Sequence, residues 1–275
     1  MATGLTDYTT EQLLAITAGL GLDDPLFLRG APISDWPENV RTEVEMLGVR
    51  SLLSRDLIRV EGGQMRVPLV LRHLMVPLCE ATMVTTVARA DKAGTLVARL
   101  YSRKGQTTVH QPALAGNHRL RGFATSRLPE ALVRLTHLRK VEPVGNEPIK
   151  IDEETASAVL RQLVTSVEEG QAFDPTTLNL PPETFEPFAN FTTDMALATV
   201  TVVRRDGDRA VEGATVSWLD DPAGGQWLVE RTDQTVSVSP ASGDEILGSV
   251  LSGFGGDPID LSDVDWGVGE VTSNA

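Results

Sequence analysis

Apolar residues first recur at helical spacing. Leu13, Leu14, Ile16 and Leu20 lie on one face of the segment Glu11–Leu20, which predicts a helix. Thr9 and Gln12 have capping-box spacing at its start, and Gly21 supplies a stop. A loop carrying Pro25, Gly30, Pro32 and Pro37 follows. Val44, Leu47 and the Leu52-Leu53 pair then predict a second helix over Val40–Leu53. Leu57–Val60 and Gln64–Val67 flank Glu61-Gly62-Gly63 and read as a short hairpin. Pro68–Ala81 reads as a third helix, interrupted near Pro77 because proline removes a backbone donor.

The period then changes to two. Met83–Ala90, Thr95–Ser102, Gln106–His110 and His118–Thr125 alternate and are rich in β-branched residues, so they predict strands. Lys104-Gly105 marks a tight turn between the second and third. Leu128–Leu138 returns to helix, with Pro129 tolerated in the first turn. Val141–Lys150, with Pro143, Gly145 and Pro148, reads as a linker.

A similar order of elements follows. Asp152–Val167 is a predicted helix with Ala156, Val159, Leu160 and Leu163 on one face. Pro175–Asn190 is broken by prolines, with a short helix expected at Pro182–Phe188. Ala196–Val203, Val211–Leu219, Gln226–Glu230 and Thr235–Val238 are predicted strands, and Asp206-Gly207 is a two-residue hairpin signal. Ser242 and Glu245 form a second capping-box pattern, opening a helix that runs to Phe254. Gly255–Ala275 is acidic and glycine-rich, with Trp266 as its only aromatic residue, and is expected to be disordered. The span 83–138 thus mirrors 196–254 in pattern. The expected fold is α+β, with two pseudo-two-fold-related halves forming one body. Each half is a mainly antiparallel sheet with flanking helices. The expected boundaries are 1–140, 141–254 and an acidic tail at 255–275.

Composition adds limits. The chain has 275 residues and a single cysteine, Cys79, which excludes a disulfide framework and a cysteine-rich zinc site. No apolar run approaches a membrane span, and Met1–Asp7 lacks the basic and apolar regions of a secretory signal. A cytoplasmic protein without stable membrane insertion is therefore expected. The net charge of −14 disfavours nucleic acid as the main partner. That charge is uneven. Residues 89–140 carry eleven Lys/Arg against two Asp/Glu, whereas 141–275 carry six against twenty-five. The basic segment reads either as internal complementarity within one fold or as a patch that docks an acidic partner.

Catalytic patterns are missing. The chain has no G-x-S-x-G, Walker A or H-E-x-x-H motif, and Gly253-Phe254-Gly255-Gly256 follows a helix rather than a strand. His110 and His118 are placed to meet across a hairpin, but the segment offers them no third metal ligand before Glu130. Cys79, beside Leu78 in an apolar helix, reads as a small buried hydrophobe. Asp152, Glu153 and Glu154 suit a helix N-terminus. Asp257, Asp260, Asp263 and Asp265 lack the glycine and terminal glutamate of a calcium loop. Arg99, Arg119 and Arg121 share odd numbering in their strands and are expected on one sheet face. With His118 they would form an anion pocket for a small ligand. Residues 40–67 imitate a winged helix, but Arg41, Arg50, Arg55, Arg59 and Arg66 are balanced by Glu43, Glu45, Asp56 and Glu61.

The order and spacing of these elements resemble the EspG proteins of actinobacterial type VII (ESX) secretion. The segments carrying the resemblance begin with Leu5-Thr6 and Glu11-Gln12-Leu13, then the leucine-rich helix ending at Leu57-Ile58 and its glycine turn. They continue with Thr95–Ser102, Gln106–Gln111 and Leu120–Thr125 running into Pro129-Glu130-Ala131-Leu132. The second half adds Ala196–Arg205, Asp206-Gly207, Val211–Trp218, Gly225-Gln226-Trp227, Thr235–Pro240 and the helix Asp244–Phe254. The resemblance implies an α+β pseudo-two-fold fold and a cytosolic, non-enzymatic chaperone without a cofactor. It implies binding to the helical tip of PE–PPE heterodimers, keeping these substrates soluble and directing them to the secretion machinery. It also implies an interface using the central sheet, the loop between the second and third strands, and C-terminal helices. Here that loop is Ser102-Arg103-Lys104-Gly105-Gln106, and the other candidates are Arg99, Arg204, Trp227, Arg231, Leu247 and Leu251.

Overall fold

The computed structural model describes residues 6–29, 32–143, 148–169, 195–207, 209–222, 225–232 and 235–254, with Val264 and Trp266. Twelve strands and six helices are found among them. The strands are β1 (Thr6–Thr9), β2 (Arg59–Glu61), β3 (Gln64–Arg66), β4 (Met83–Asp91), β5 (Gly94–Arg103) and β6 (Gln106–Pro112). They continue with β7 (Asn117–Ala124), β8 (Ile149–Asp152), β9 (Ala196–Asp206), β10 (Arg209–Asp221), β11 (Gly225–Arg231) and β12 (Thr235–Pro240). The helices are α1 (Thr10–Leu20), α2 (Glu38–Ser54), α3 (Leu69–Glu80), α4 (Leu128–Thr136), α5 (Glu153–Glu169) and α6 (Gly243–Ser252). Ten strands share one sheet in the order β1-β7-β6-β5-β4-β9-β10-β11-β12-β8, while β2 and β3 pair separately. The registers β1/β7, β5/β6, β6/β7, β10/β11, β11/β12 and β12/β8 are all antiparallel. The fold is α+β, as expected.

The chain divides into two compact units. The first comprises Met1–Thr85, Ala98–Leu128 and Val203–Glu212, and the second Thr86–Val97, Pro129–Val202 and Gly213–Ala275. In the first, Leu13, Ile16, Leu52, Ile58, Leu71, Leu74, Met75 and Leu78 pack with Tyr8, Tyr101 and Leu120 of the strands. Removing such large apolar side chains from water contributes roughly 1.5–3 kcal/mol each. In the second, Ala156 and Val159 of α5 pack on Leu219, Val236 and Val238, with Ile149, Ile151, Trp227 and Val229 at the margin.

Local chemistry accounts for the element boundaries. Thr9 accepts a hydrogen bond from the Gln12 amide at 3.3 Å, and Gln12 Oε1 accepts one from the Thr9 amide at 3.0 Å. Gly21 then ends α1 at φ 64°, where a side chain would be strained. Ser242 and Glu245 repeat this reciprocal cap at α6. Asp152 Oδ1 accepts from the Thr155 amide at 2.8 Å, and the Thr155 hydroxyl first, with that amide second, holds its carboxyl below the usual range.

The expected interruption of α3 does not occur, since the helix continues through Pro77 to Glu80. The carbonyls of the last turn, beyond the proline, find their partners outside the helix. The Leu26 amide donates to the Leu78 carbonyl at 2.8 Å, and Arg29 Nη2 donates to the Cys79 carbonyl at 2.8 Å. The expected linker over Val141–Lys150 also needs correction, because Ile149 and Lys150 open β8, which pairs with β12. Ile149 and Ile151 are half-buried while Lys150 and Asp152 face solvent, an alternation too short to stand out beside Pro148. The β9–β10 hairpin starts one residue later than expected: Asp206 is still strand and Gly207 takes φ 58°. The short helix expected at Pro182–Phe188 within Pro175–Asn190 lies outside the described residues. So does the tail expectation for 255–275, apart from Val264 and Trp266.

Candidate functional site

The β5–β6 turn is built by backbone sign. Arg103 pairs with Gln106, leaving Lys104 and Gly105 as a two-residue connection with φ 47° and 78°. Two positive φ values give the turn whose twist matches a hairpin. Three contacts brace it. The Thr125 amide donates to the Gly105 carbonyl at 2.9 Å. Ser102, Thr107 and Thr125 form a hydroxyl chain with spacings of 2.9 and 3.0 Å. Arg103 Nη1 donates to the Glu80 carbonyl at 2.7 Å, and its Nε lies 2.9 Å from the Glu80 carboxylate. Lys104, Gly105 and Gln106 therefore project into solvent on a fixed base. Ser102 is buried beneath them and acts as support.

Arg99 is exposed on β5, directly opposite His110, and hydrogen-bonds Tyr101 on the same strand. The register overturns the expectation that Arg99, Arg119 and Arg121 share a face. His110 pairs with both Arg99 and Leu120, whereas Arg119 and Arg121 pair with Gln111 and Val109. Opposed residues in adjacent strands point the same way. Arg99 and His118 therefore lie on one face and Arg119 and Arg121 on the other, so the four do not form an anion pocket. Arg119 Nε instead lies 3.1 Å from the Asp7 carboxylate. Parity of numbering could not reveal this, because two strands matched odd to even across a hairpin reverse it.

Arg204, also in the first unit, is half-buried and lies 3.4 Å from Glu212. In the second unit Trp227 is half-buried against the apolar cluster, between Leu219 and Pro240 in register. Arg231 pairs with Glu153 at the start of α5. It lines a groove of about 740 Å³ together with Ala156, Thr199, Ser217, Val229 and Val236. Leu247 and Leu251 are only 1% and 7% exposed and pack α6 into the core.

Two further polar groups lie wholly or partly buried. His110 and His118 meet across β6 and β7, as their placement on neighbouring strands predicts, with Nε2 and Nδ1 3.0 Å apart. His118 Nε2 lies 2.9 Å from Thr10 Oγ1, and Phe27 stacks on His110 with ring centres 3.9 Å apart. Burial pushes His110 down to about 3, with the neighbouring His118 and Arg99 adding to the effect. His118 is also lowered by burial, opposed by Glu11. Among the described residues no group of three or more His, Cys, Asp or Glu could hold a metal ion. The second group, missed in the sequence, is Asp220, whose side chain is 4% exposed and receives Arg139 Nη2 at 2.7 Å and Arg89 Nη1 at 3.4 Å. These residues are too far apart in the chain for any spacing signal.

Cys79 is buried as expected. Its thiol is pushed up to about 12, first by burial, so the nucleophilic thiolate is not available at neutral pH. On the helix pair that imitates a winged helix, Arg41 is held by Asp24 and Glu45, each at 3.0 Å, and Arg66 lies 3.7 Å from Glu61. Arg41 is occupied internally rather than presented to phosphate, whereas Arg66, on the β2–β3 hairpin, stays exposed.

Together these features describe an α+β protein on a ten-stranded sheet with a braced, charged hairpin turn. The chain belongs to the EspG family, whose family model matches residues 9–250. Among solved structures it is similar to that of the Mycobacterium tuberculosis type VII secretion system chaperone EspG5 in complex with a PE25-PPE41 dimer. The match covers 94% of this chain and 97% of that one, at 12% identity and a TM-score of 0.56. No curated protein matches the sequence. No helix among the described residues is long and apolar enough to cross a membrane.

Proposed function

We propose that this EspG-family protein is a non-enzymatic, cytosolic chaperone of type VII (ESX) secretion. It binds the helical tip of a PE–PPE-type heterodimer, keeps it soluble and directs it to the secretion machinery. The observation that carries this reading is the family match over residues 9–250. The likeness in fold to a chaperone solved with a PE25-PPE41 dimer supports it.

Within this reading, Lys104, Gly105 and Gln106 contact the substrate from the β5–β6 turn, with Arg99 further back along β5. Arg103 and Ser102 hold the turn in place, Arg103 through Glu80 and Ser102 through Thr107. A braced turn loses little conformational entropy on binding, which favours it over a mobile loop of the same charge. Arg204, Trp227 and Arg231 are the remaining surface candidates. Leu247 and Leu251 support α6 from the core.

The same reading includes two pseudo-two-fold-related halves. Each half opens with a strand running directly into a helix, β1–α1 and β8–α5. Each continues with four strands, β4–β7 and β9–β12, and closes on a helix, α4 and α6. In the strand order each opening strand flanks the fourth strand of its own half.

Co-expression with PE–PPE pairs encoded beside this gene tests the proposal. The expected result is a stable one-to-one complex with one heterodimer on size exclusion. Failure to co-elute with any such pair overturns it.

A further inference from the structure

Helix α2 is amphipathic in an unusual sense. Gly48 and Leu52 are buried against α1, where a Cβ at position 48 would run into the Glu11 carbonyl and Ala15. The opposite face is apolar as well. Val40, Met46, Leu47 and Leu53 are 37%, 52%, 57% and 38% exposed. With Glu43 and Arg50, both exposed, they fall within one continuous stripe at helical spacing. Large apolar side chains grouped on one helix face mark an interaction surface more often than singly scattered ones.

The stripe has an internal symmetry that names its occupant. Its midpoint lies between Met46 and Leu47. Rotation of a second α2 by half a turn about that midpoint sets Val40 against the partner's Leu53. Met46 then meets the partner's Leu47, and Glu43 meets the partner's Arg50. Every apolar position finds an apolar one, and each charge finds its opposite. Glu43 and Arg50 are seven residues apart, about 10 Å along the helix, so they do not satisfy each other within one chain. Neither has a hydrogen bond or ion pair among the described residues. An isologous contact requires this self-complementarity, because one patch must serve both sides.

We propose that α2 is a homodimerisation helix, packing antiparallel against α2 of a second copy of this chain. Two helices of 17 residues are each about 25 Å long. Their contact buries on the order of 1,000 Å², just below the range of stable specific interfaces, which fits a weak, reversible dimer.

Sedimentation equilibrium of the full chain over a wide concentration range tests this. The wild-type chain is expected to dimerise reversibly. Leu47→Asp, at an exposed position, abolishes the dimer while leaving the melting temperature unchanged at concentrations where the wild type is monomeric. Glu43→Arg and Arg50→Glu each place like charges together twice and weaken the dimer at least about tenfold, the effect of roughly 1.4 kcal/mol. The double variant Glu43→Arg/Arg50→Glu restores it to within about threefold of wild type, since the reversed pairs match again. A chain that stays monomeric throughout overturns the proposal. So does a dimer indifferent to Leu47→Asp, or single reversals that the double variant fails to rescue.

Discussion

His110 Nε2 and His118 Nδ1 lie 3.0 Å apart beneath the ring of Phe27, so one ring donates to the other, and burial disfavours a charge on either. Both are held below the usual imidazole value, His110 at about 3, with burial as the largest cause. In the unfolded chain both rings titrate near 6.5. Below that pH the unfolded state takes up protons that the folded state refuses. The stability contributed by the neutral pair is therefore present above about pH 6.5 and is lost progressively as pH falls. The slope is at most about 1.4 kcal/mol per pH unit per ring. The melting temperature is expected to fall between pH 7 and 5, and His110→Leu to flatten that fall. An identical pH profile in the variant would show that the pair has no such effect.

Asp220 is the shared acceptor for Arg139 and Arg89. Removing one partner of a buried charge cluster leaves the others uncompensated, at a cost of roughly 3–5 kcal/mol. Asp220→Ala is expected to lower the urea midpoint by a corresponding amount, whereas Arg139→Met, at the more exposed end, costs less. Equal small losses for both would contradict a buried cluster.

Gly48 lies close against α1, with the Glu11 carbonyl in the space a Cβ would take. Backbone cannot move aside as a flexible side chain can. Gly48→Ala is expected to destabilise by about 1–3 kcal/mol, despite alanine's better helix propensity. Chemical unfolding measures it, and a gain in stability would mean that the helices separate without cost.

Lys104 has φ 47° in an exposed turn, a conformation that asparagine accepts more readily. Lys104→Asn is expected to keep or raise the melting temperature while weakening substrate binding several-fold. Lys104→Glu weakens it further. Calorimetric titration with the purified PE–PPE heterodimer separates these effects. Unchanged affinity in both variants would remove the turn from the interface.

The elements were legible where short-range rules operate. Thr9 with Gln12 and Ser242 with Glu245 gave both capping boxes, because those bonds close within one helical turn. Lys104-Gly105 gave its hairpin turn, because glycine tolerates a positive φ. Strands β1 and β8 were not legible as strands. Each has four residues, and Thr6–Thr9 and Ile149–Asp152 become strands only by pairing with β7 and β12. Pro77 does not stop α3, whose last turn is held by the burial of Leu78 and Cys79 and by bonds from Leu26 and Arg29, about fifty residues earlier.

The candidate site divides the same way. Chain order identified the β5–β6 turn and the meeting of His110 with His118 across neighbouring strands. It could not sort Arg99 from Arg119 and Arg121, since the face of a strand residue depends on register across the hairpin. Nor could it show that Leu247 and Leu251 point inward, because an apolar helix face reads the same whether the chain itself or a partner covers it. Periodicity, capping and turn chemistry are local, and the sequence determined them through bonds that span a few residues. Strand register, the burial of Asp220 between two arginines and the exposure of the α2 stripe are relations between distant segments. Packing alone decided those, since they exist only once the chain has brought its parts together.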